Sequence, residues 1–514
     1  MKRFPVRRVA TVGLAAAVAG AMLAGCSQPA APGDTELSIR IPFAPGTWNP
    51  LDASYLGSHT AVAQAVYEPL LRYTEDGELV PWLAESYEMS ADSRTLTLDL
   101  RDGVDFTDGV PFDAETVAAS LDRIFHPLEG ENTGGRLVDG WHPEVEAVDD
   151  DTIEITSDRP MRGEWFINFG NLGIVSPEAL ESPESLAQDS AGTGPYLIDE
   201  IVPDSSVSFV RNPEYWNPDA FPFDTVTMTV YDDDVAALNA LQGGQLDASY
   251  VLDLALANGA VAQGGLELNT GVGLSPSIYF TDRAGEALPP LADVRVRQAI
   301  NMAFDREGIN DSLNFGLGEV SSQPFLPWEA AYVEGGDDRY PFDVEAAEEL
   351  MAEAGYADGF DLTIASVPGF TDFYEPALQN ALAQIDITVI YDVVQLADFG
   401  TLFFDKWQNL YYPVVAYPMA VGATRYEWIQ LYFGGFPEPE AAEFYDRMSN
   451  GSNEEAEQAE KEFGEYMLDN AWFAPFSVPP AVVVSREGLT VEVGLSAIDG
   501  NSQWTPFWGY ALAD

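Results

Sequence analysis

The chain has 514 residues, 46% hydrophobic and 12% aromatic, enough to build cores for two or three domains. Its 84 acidic residues against 23 basic ones give a net charge of −61, which argues against a nucleic-acid partner because phosphate binding needs a basic face. The acids are interleaved with hydrophobic and aromatic residues, so they read as a solvated surface on a folded body; an acidic cleft for a cationic ligand is the sharper reading.

Lys2, Arg3, Arg7 and Arg8 precede an uncharged apolar stretch, residues 9–23, too short for a permanent membrane span. It runs into Leu23-Ala24-Gly25-Cys26, which resembles the lipobox of a bacterial lipoprotein. That resemblance makes residues 1–25 a signal peptide and Cys26 an acylated, palmitate-type lipid anchor on the outer face of the cell membrane. Arg7-Arg8 has poor twin-arginine flanks, so the general secretory route is expected. Loss of the leader leaves 19 basic against 84 acidic residues, a net −65. With Cys26 acylated no thiol remains, which excludes disulfides and thiol catalysis. Residues 26–35 read as a flexible tether.

Residues 94–100 alternate, with Leu96, Leu98 and Leu100 on one face, predicting a half-buried strand. Asp113 is placed to N-cap a helix with the stripe Val117, Leu121, Ile124 and Phe125. Alternation returns at 152–156 and at Val226, Met228 and Val230. Asp149-Asp150-Asp151 and Asp232-Asp233-Asp234 lack the glycine and terminal Glu of a calcium loop and read as solvated turns. Asp293 heads a helix carrying Val296, Ala299, Ile300, Ala303 and Phe304. Asp343 heads another with Ala346, Ala347, Leu350, Met351 and Ala354, stopped by Gly355. Ile387, Val389, Tyr391 and Val393 mark a strand, and Ala456, Ala459, Phe463, Tyr466 and Met467 a late helix. Strands and helices mix without a strict βαβ run, which favours α/β lobes with mixed sheets.

Several stretches, in order, resemble the extracellular solute-binding proteins of the peptide, dipeptide and nickel ABC importers (family 5). They are Val66-Tyr67-Glu68-Pro69-Leu70-Leu71, Pro81-Trp82-Leu83-Ala84-Glu85-Ser86-Tyr87, Arg101-Asp102-Gly103-Val104 and Phe112-Asp113-Ala114-Glu115-Thr116-Val117. Gly192-Thr193-Gly194-Pro195-Tyr196 and Arg211-Asn212-Pro213-Glu214-Tyr215-Trp216 follow. Asp293-Val294-Arg295-Val296-Arg297-Gln298-Ala299-Ile300, Ala303-Phe304-Asp305-Arg306 and Glu353-Ala354-Gly355-Tyr356 complete the set.

The resemblance implies an α/β, two-lobed periplasmic-binding-protein clamshell with mixed sheets and an extra inserted subdomain, the three-domain cluster C type. By analogy lobe I takes residues 36–60, 190–275 and 482–514, the inserted subdomain 61–189, and lobe II 276–481. The implied role is a monomeric, cofactor-free binding lipoprotein that closes on a solute and delivers it to an ABC permease and its ATPase subunits. Most of the shared residues read as structural. Gly192, Gly194 and Pro195 suit a tight lead-in to a strand, and Arg295, Arg297, Asp305 and Arg306 fix a helix against its neighbours.

In peptide-binding relatives an Asp after a Gly-Trp-like segment receives the ligand's α-amino group. Here the corresponding stretch places Tyr417 in the aromatic position and Met419 or Ala420 where the Asp is expected. A buried ammonium without a carboxylate is costly, which disfavours plain dipeptides. A blocked or modified peptide is the leading expectation; an oligosaccharide or a chelated metal is the alternative. Trp48, Tyr279, Tyr417 and Trp428, in expected loops, are candidate stacking surfaces, and Arg425 a candidate anion contact.

An enzyme is the rival class, with a surface hydrolase as its form. No Gly-x-Ser-x-Gly elbow, His-Glu-x-x-His or P-loop is present, and His59, His126 and His142 lack metal-ligand spacing.

Overall fold

Apolar alternations become strands and apolar stripes become helices throughout the computed structural model. It describes residues 35–41, 58–73, 79–126, 143–162, 173–182, 186, 189–273, 275–325, 327, 329–368, 371–395, 409–419, 438–493 and 509–512. In chain order, β1 (Glu36–Ile41) and α1 (Ser58–Val66) precede β2 (Leu71–Tyr73), β3 (Leu79–Pro81), β4 (Ala84–Met89), β5 (Thr95–Leu100), α2 (Ala114–Phe125), β6 (Glu144–Ala147) and β7 (Thr152–Thr156). Next come β8 (Tyr196–Val202), β9 (Ser206–Arg211), β10 (Thr225–Val230), α3 (Asp234–Gln242), β11 (Ala248–Tyr250), α4 (Leu254–Val261) and β12 (Leu266–Val272). Then follow β13 (Ser275–Tyr279), α5 (Val294–Met302), α6 (Arg306–Leu313), α7 (Val344–Glu353), β14 (Phe360–Ser366), α8 (Glu375–Ala383) and β15 (Ile387–Val393). β16 (Val415–Met419), α9 (Pro439–Asn450), α10 (Asn453–Asp469), β17 (Phe473–Pro475), β18 (Pro480–Arg486), β19 (Leu489–Val491) and β20 (Tyr510–Leu512) come last.

Among the described residues, a seven-stranded mixed sheet has the order β12-β18-β11-β1-β10-β9-β8, and a four-stranded sheet the order β4-β5-β7-β6. One continuous core, including Ile39, Met228, Leu98, Leu121 and Ile153, joins these two sheets. A second body is built on the β16-β13-β17 sheet and the parallel pair β14-β15, with Ile278, Ile300, Leu362 and Phe476 in its core. This is the mixed, multi-sheet α/β architecture expected of the clamshell fold.

Two neighbouring chain crossings connect the bodies. β12 pairs with β18 and β13 pairs with β17, so the β12-to-β13 and β17-to-β18 connections lie side by side. A Cβ on Gly273 would sit 2.1 Å from the Pro479 carbonyl oxygen, so only glycine allows the crossings to approach this closely. A second contact lies elsewhere, between the four-stranded sheet's loops and the turn joining α9 and α10. The Arg162 fork donates from Nε (3.0 Å) and Nη2 (2.6 Å) to Asn453 Oδ1, which also accepts from Ser93 Oγ at 2.6 Å. Arg162 Nη1 reaches the Met448 carbonyl, in the last turn of α9.

Local sequence explains the helix starts. Asp113 and Thr116 form a reciprocal capping box, and Val117, Leu121, Ile124 and Phe125 are buried below it. Asp343 caps α7, and Gly355 follows with φ +89°. Ile387, Val389, Tyr391 and Val393 form β15 as expected, with Val393 exposed at its end. Two expectations are corrected. The stripe after Asp293 does not continue through Phe304: α5 stops at Met302, because Asp305 accepts the Gly308 N–H and starts α6. Asp234 is not in a solvated turn but ion-paired with buried Arg40, while Asp233 caps α3.

The separate motifs meet at Glu68. Its buried carboxylate accepts from Trp82 Nε1 (2.8 Å), Thr193 Oγ1 (3.0 Å), Tyr215 Oη (2.6 Å) and Trp216 Nε1 (2.9 Å). Burial pushes its pKa up, and these four donors oppose that rise. Arg72 and Arg101 stack over the Trp82 and Trp216 rings at 4.1 and 4.7 Å. Gly192 and Gly194 serve the same knot by close approach: a Cβ on either would fall within 2.6 Å of the Val66 carbonyl oxygen.

The helix arginines are fixed inward. Arg297 donates to the Asn470, Ala471 and Leu291 carbonyls, and Arg306 to the Pro475 and Tyr340 carbonyls and Asn301 Oδ1. Arg306 is buried with carbonyl and amide partners, and desolvation lowers its pKa to about 9. Arg295 instead pairs with Asp293 beside it, at 2.6 Å.

Candidate functional site

β1 runs parallel to β10 and β11, while β11 and β12 both run antiparallel to β18. The carboxyl ends of β1, β10, β11 and β12 therefore share one edge, the edge where the crossings leave for the second body. Ligands of open α/β sheets bind at such carboxyl edges. A cleft of about 250 Å³ lies there, near the lower end of the roughly 300–1,000 Å³ of small-molecule sites. Tyr250, Leu252 and Asp253 line one wall, Asn314, Phe315 and Tyr374 the other, with Gly273 and Pro480 from the crossings between them.

Charged groups fix the first wall from behind. Arg40, at the end of β1, donates to Asp234 Oδ1 (2.6 Å), the Tyr231 carbonyl (2.8 Å) and the Tyr250 carbonyl (2.9 Å). Asp234 Oδ2 then accepts the Leu252 and Asp253 N–H groups, each at 2.9 Å. Asp253 caps α4 through the Ala255 and Leu256 N–H groups. The loop after β11 is thus held by a buried ion pair and a helix cap together. Across the cleft, Tyr374 is buried beneath α8; burial raises the Tyr250 and Tyr374 phenol pKa values, and their proximity adds to the Tyr250 rise. Tyr374 also lines a mainly apolar side cavity of about 20 Å³, room for roughly one water, with Ile364, Leu378, Tyr391 and Phe476.

The candidate residues from sequence are only partly visible. Cys26, Trp48, Arg425 and Trp428 lie outside the described residues. Tyr279 and Tyr417 lie in strands β13 and β16, not in loops as expected, because both belong to segments that pair as antiparallel neighbours. The Tyr417 backbone lies opposite Ser277; its side chain is outside the described part. Tyr279 is 3% exposed and meets the Phe473 ring at 5.4 Å, in the core rather than in the cleft lining. Sequence reasoning missed Tyr250, Asp253, Phe315 and Tyr374. The one available cue was the capping Asp253 directly after the short strand β11.

His126 Nδ1 lies 3.1 Å from the Asp122 side chain on its own helix; His59 and His142 have no described side chain. Among the described residues no group of three His, Cys, Asp or Glu is placed to hold a metal ion, and no helix is long and apolar enough to cross a membrane.

Residues 78–441 match the profile described as bacterial extracellular solute-binding proteins, family 5 middle. The chain is 30% identical over 335 residues to heme-binding protein A of Haemophilus influenzae, 59% of each chain. It is 30% identical over 363 residues to the glutathione-binding protein GsiB of Escherichia coli K12, covering 69% of this chain and 67% of that one. The structure of NikA from Brucella suis with Fe(III)-EDTA superposes with a TM-score of 0.76 at 20% identity, covering 93% of this chain and all of that one. The profile match spans most of the chain and continues across both bodies and the cleft between them: the chain belongs to the bacterial extracellular solute-binding proteins of family 5.

Proposed function

We propose that this protein captures an extracellular solute, a peptide or modified peptide, between two closing lobes and delivers it to an ABC permease. The observation that carries this reading is the cleft at the carboxyl edge of the large sheet, walled by both bodies and flanked by their two crossings. Lobe I comprises residues 36–60, 190–275 and 482–514 with the insert 61–189, and lobe II comprises 276–481. The crossings act as hinges, and ligand contacts with both walls shift the population toward the closed form. Cys26 carries the lipid anchor, which keeps the clamshell beside its permease and raises its local concentration there.

Family membership supports binding rather than turnover as the role. The name of GsiB supports a peptide ligand, since glutathione is a peptide. The absence of an acidic residue at Met419 and Ala420 supports a ligand that does not present a free α-amino group at that point. Native mass spectrometry of protein purified from its own cells tests the proposal. A co-purified peptide-like solute, bound one to one and released unchanged, is the expected result. Conversion of that solute into a product would overturn it.

A further inference from the structure

Phe315 stands directly after α6, past the Asn314 C-cap, with φ +55°. This left-handed conformation favours glycine, because the Cβ of an L-residue crowds the neighbouring backbone. Gly316 follows at φ +71°, so the turn already uses a glycine at its next residue and carries a phenylalanine here. Buried asparagines hold the turn. Asn310 Oδ1 accepts the Gly318 N–H at 3.0 Å, and Asn310 Nδ2 donates to the Gly318 carbonyl at 3.0 Å. Asn314 Nδ2 donates to Ser477 Oγ at 2.9 Å. The unfavourable φ is thus imposed by the surroundings, which is the condition for such strain to persist. Burial of the ring does not offset it: Phe315 is 50% exposed, and it lines the cleft. A local rule broken without a packing gain marks a functional position.

The rest of the lining says what the ring meets. Leu254 and Val482 come from the first body, and Phe373 and Tyr374, with rings 4.2 Å apart, from the second. Asp253 is the one charged residue in the described lining, and its Oδ1 already accepts the Ala255 and Leu256 N–H groups. We infer that Phe315 is a specificity-determining residue, whose ring contacts an apolar side group of the solute, aromatic or branched aliphatic. An aromatic ring offers a large, rigid apolar face for such a group. Leu254 belongs to the opposite wall, so a group that fills the cleft touches both bodies and favours closure. This inference deepens the proposed function and rests on the cleft being the solute site. It concerns a side group of the solute, not its amino end.

The test uses the full chain and two neutral probes that differ only in the side group, N-acetyl-phenylalaninamide and N-acetyl-glycinamide. Ligand-observed NMR titration of the wild-type protein is expected to show the phenylalanine probe binding at least about tenfold tighter, since even one methylene in an apolar pocket discriminates at that level. Phe315→Gly suits the backbone conformation and removes only the ring. It is expected to erase that preference while leaving the glycine probe unchanged. Phe315→Tyr keeps the ring and is expected to keep the preference. Equal binding of the two probes by the wild-type protein, or no binding of the phenylalanine probe, overturns the inference without needing a variant. A preference that survives in Phe315→Gly also overturns it, and so does an equal loss of both probes, which would make the ring a support for the turn. A peptide-like solute that co-purifies with a protein showing no preference would sink the role of Phe315 and leave the importer reading standing. Turnover of that solute would sink the importer reading whatever Phe315 does.

Discussion

Tyr215 Oη donates to Glu68 Oε1 at 2.6 Å, across 147 residues of sequence. Trp82, Thr193 and Trp216 complete the set of donors. Four sequence motifs that look independent along the chain are therefore one buried knot. It sits where the end of α1, the β2-β3 ribbon, the lead-in to β8 and the segment after β9 converge. It ties α1 and the β2-β3 ribbon to the edge of the large sheet, and none of its residues lines the cleft. Glu68→Gln replaces one acceptor oxygen with an amide that faces other donors. We expect a loss of about 2–4 kcal/mol in unfolding free energy, measured by urea titration. Affinity for the solute should stay within about threefold, since a change under 1 kcal/mol corresponds to less than tenfold.

The Arg162–Asn453 contact bridges the two bodies at a place remote in sequence from both crossings. Arg162→Ala should free the lobes to open. A larger radius of gyration by solution X-ray scattering is expected for the ligand-free variant. A double-mutant cycle with Asn453→Ala, read from ligand-release rates, should give a coupling of about 0.5–3 kcal/mol. Additive effects would show that the contact contributes nothing to closure.

Gly273→Ala places a methyl group against the Pro479 carbonyl. The neighbouring crossing must move, and overpacking of this kind costs about 1–3 kcal/mol. A lowered thermal midpoint is expected, together with weaker solute binding, because the strain falls between the cleft walls. Gly103→Ala supplies the contrast: its φ of +74° is unfavourable for alanine, while nothing lies within 4 Å of the added carbon. It should lower stability without touching binding.

The Glu460 carboxyl is pushed up to about 7 by burial on α10, with Glu457 repelling it further. Its folded pKa exceeds the unfolded value of 4.5, so the folded state holds the proton more tightly. Stability from this group is therefore full below about pH 4.5 and declines as pH rises to about 7. Glu460→Gln should remove that decline. We expect a gain of about 1–3 kcal/mol at pH 8 and little change at pH 4, seen by chemical denaturation at both values.

Local rules were legible wherever a short segment carried its own reason. Thr152–Thr156 became β7 with Ile153 and Ile155 buried, as alternation required. Asp113, Asp293 and Asp343 each capped a helix, because a side-chain oxygen two or three residues ahead meets an otherwise unpaired N–H. The same logic hid the break at Met302: the apolar spacing continues, and only the competing cap at Asp305 ends the helix. Asp234 was misread because its partner, Arg40, lies 194 residues away.

The order of elements, the family resemblance and the acidic charge are readable along the chain, since each depends on residue type and near neighbours. Which residues share a cleft depends on contacts between segments far apart in sequence. Tyr250 and Tyr374 come from opposite bodies and meet because the sheet's carboxyl edge and the two crossings bring them together. The Asp234–Arg40 pair is of the same kind. Whether a carboxylate is solvated or paired depends on what surrounds it in space, and spacing along the chain does not encode that.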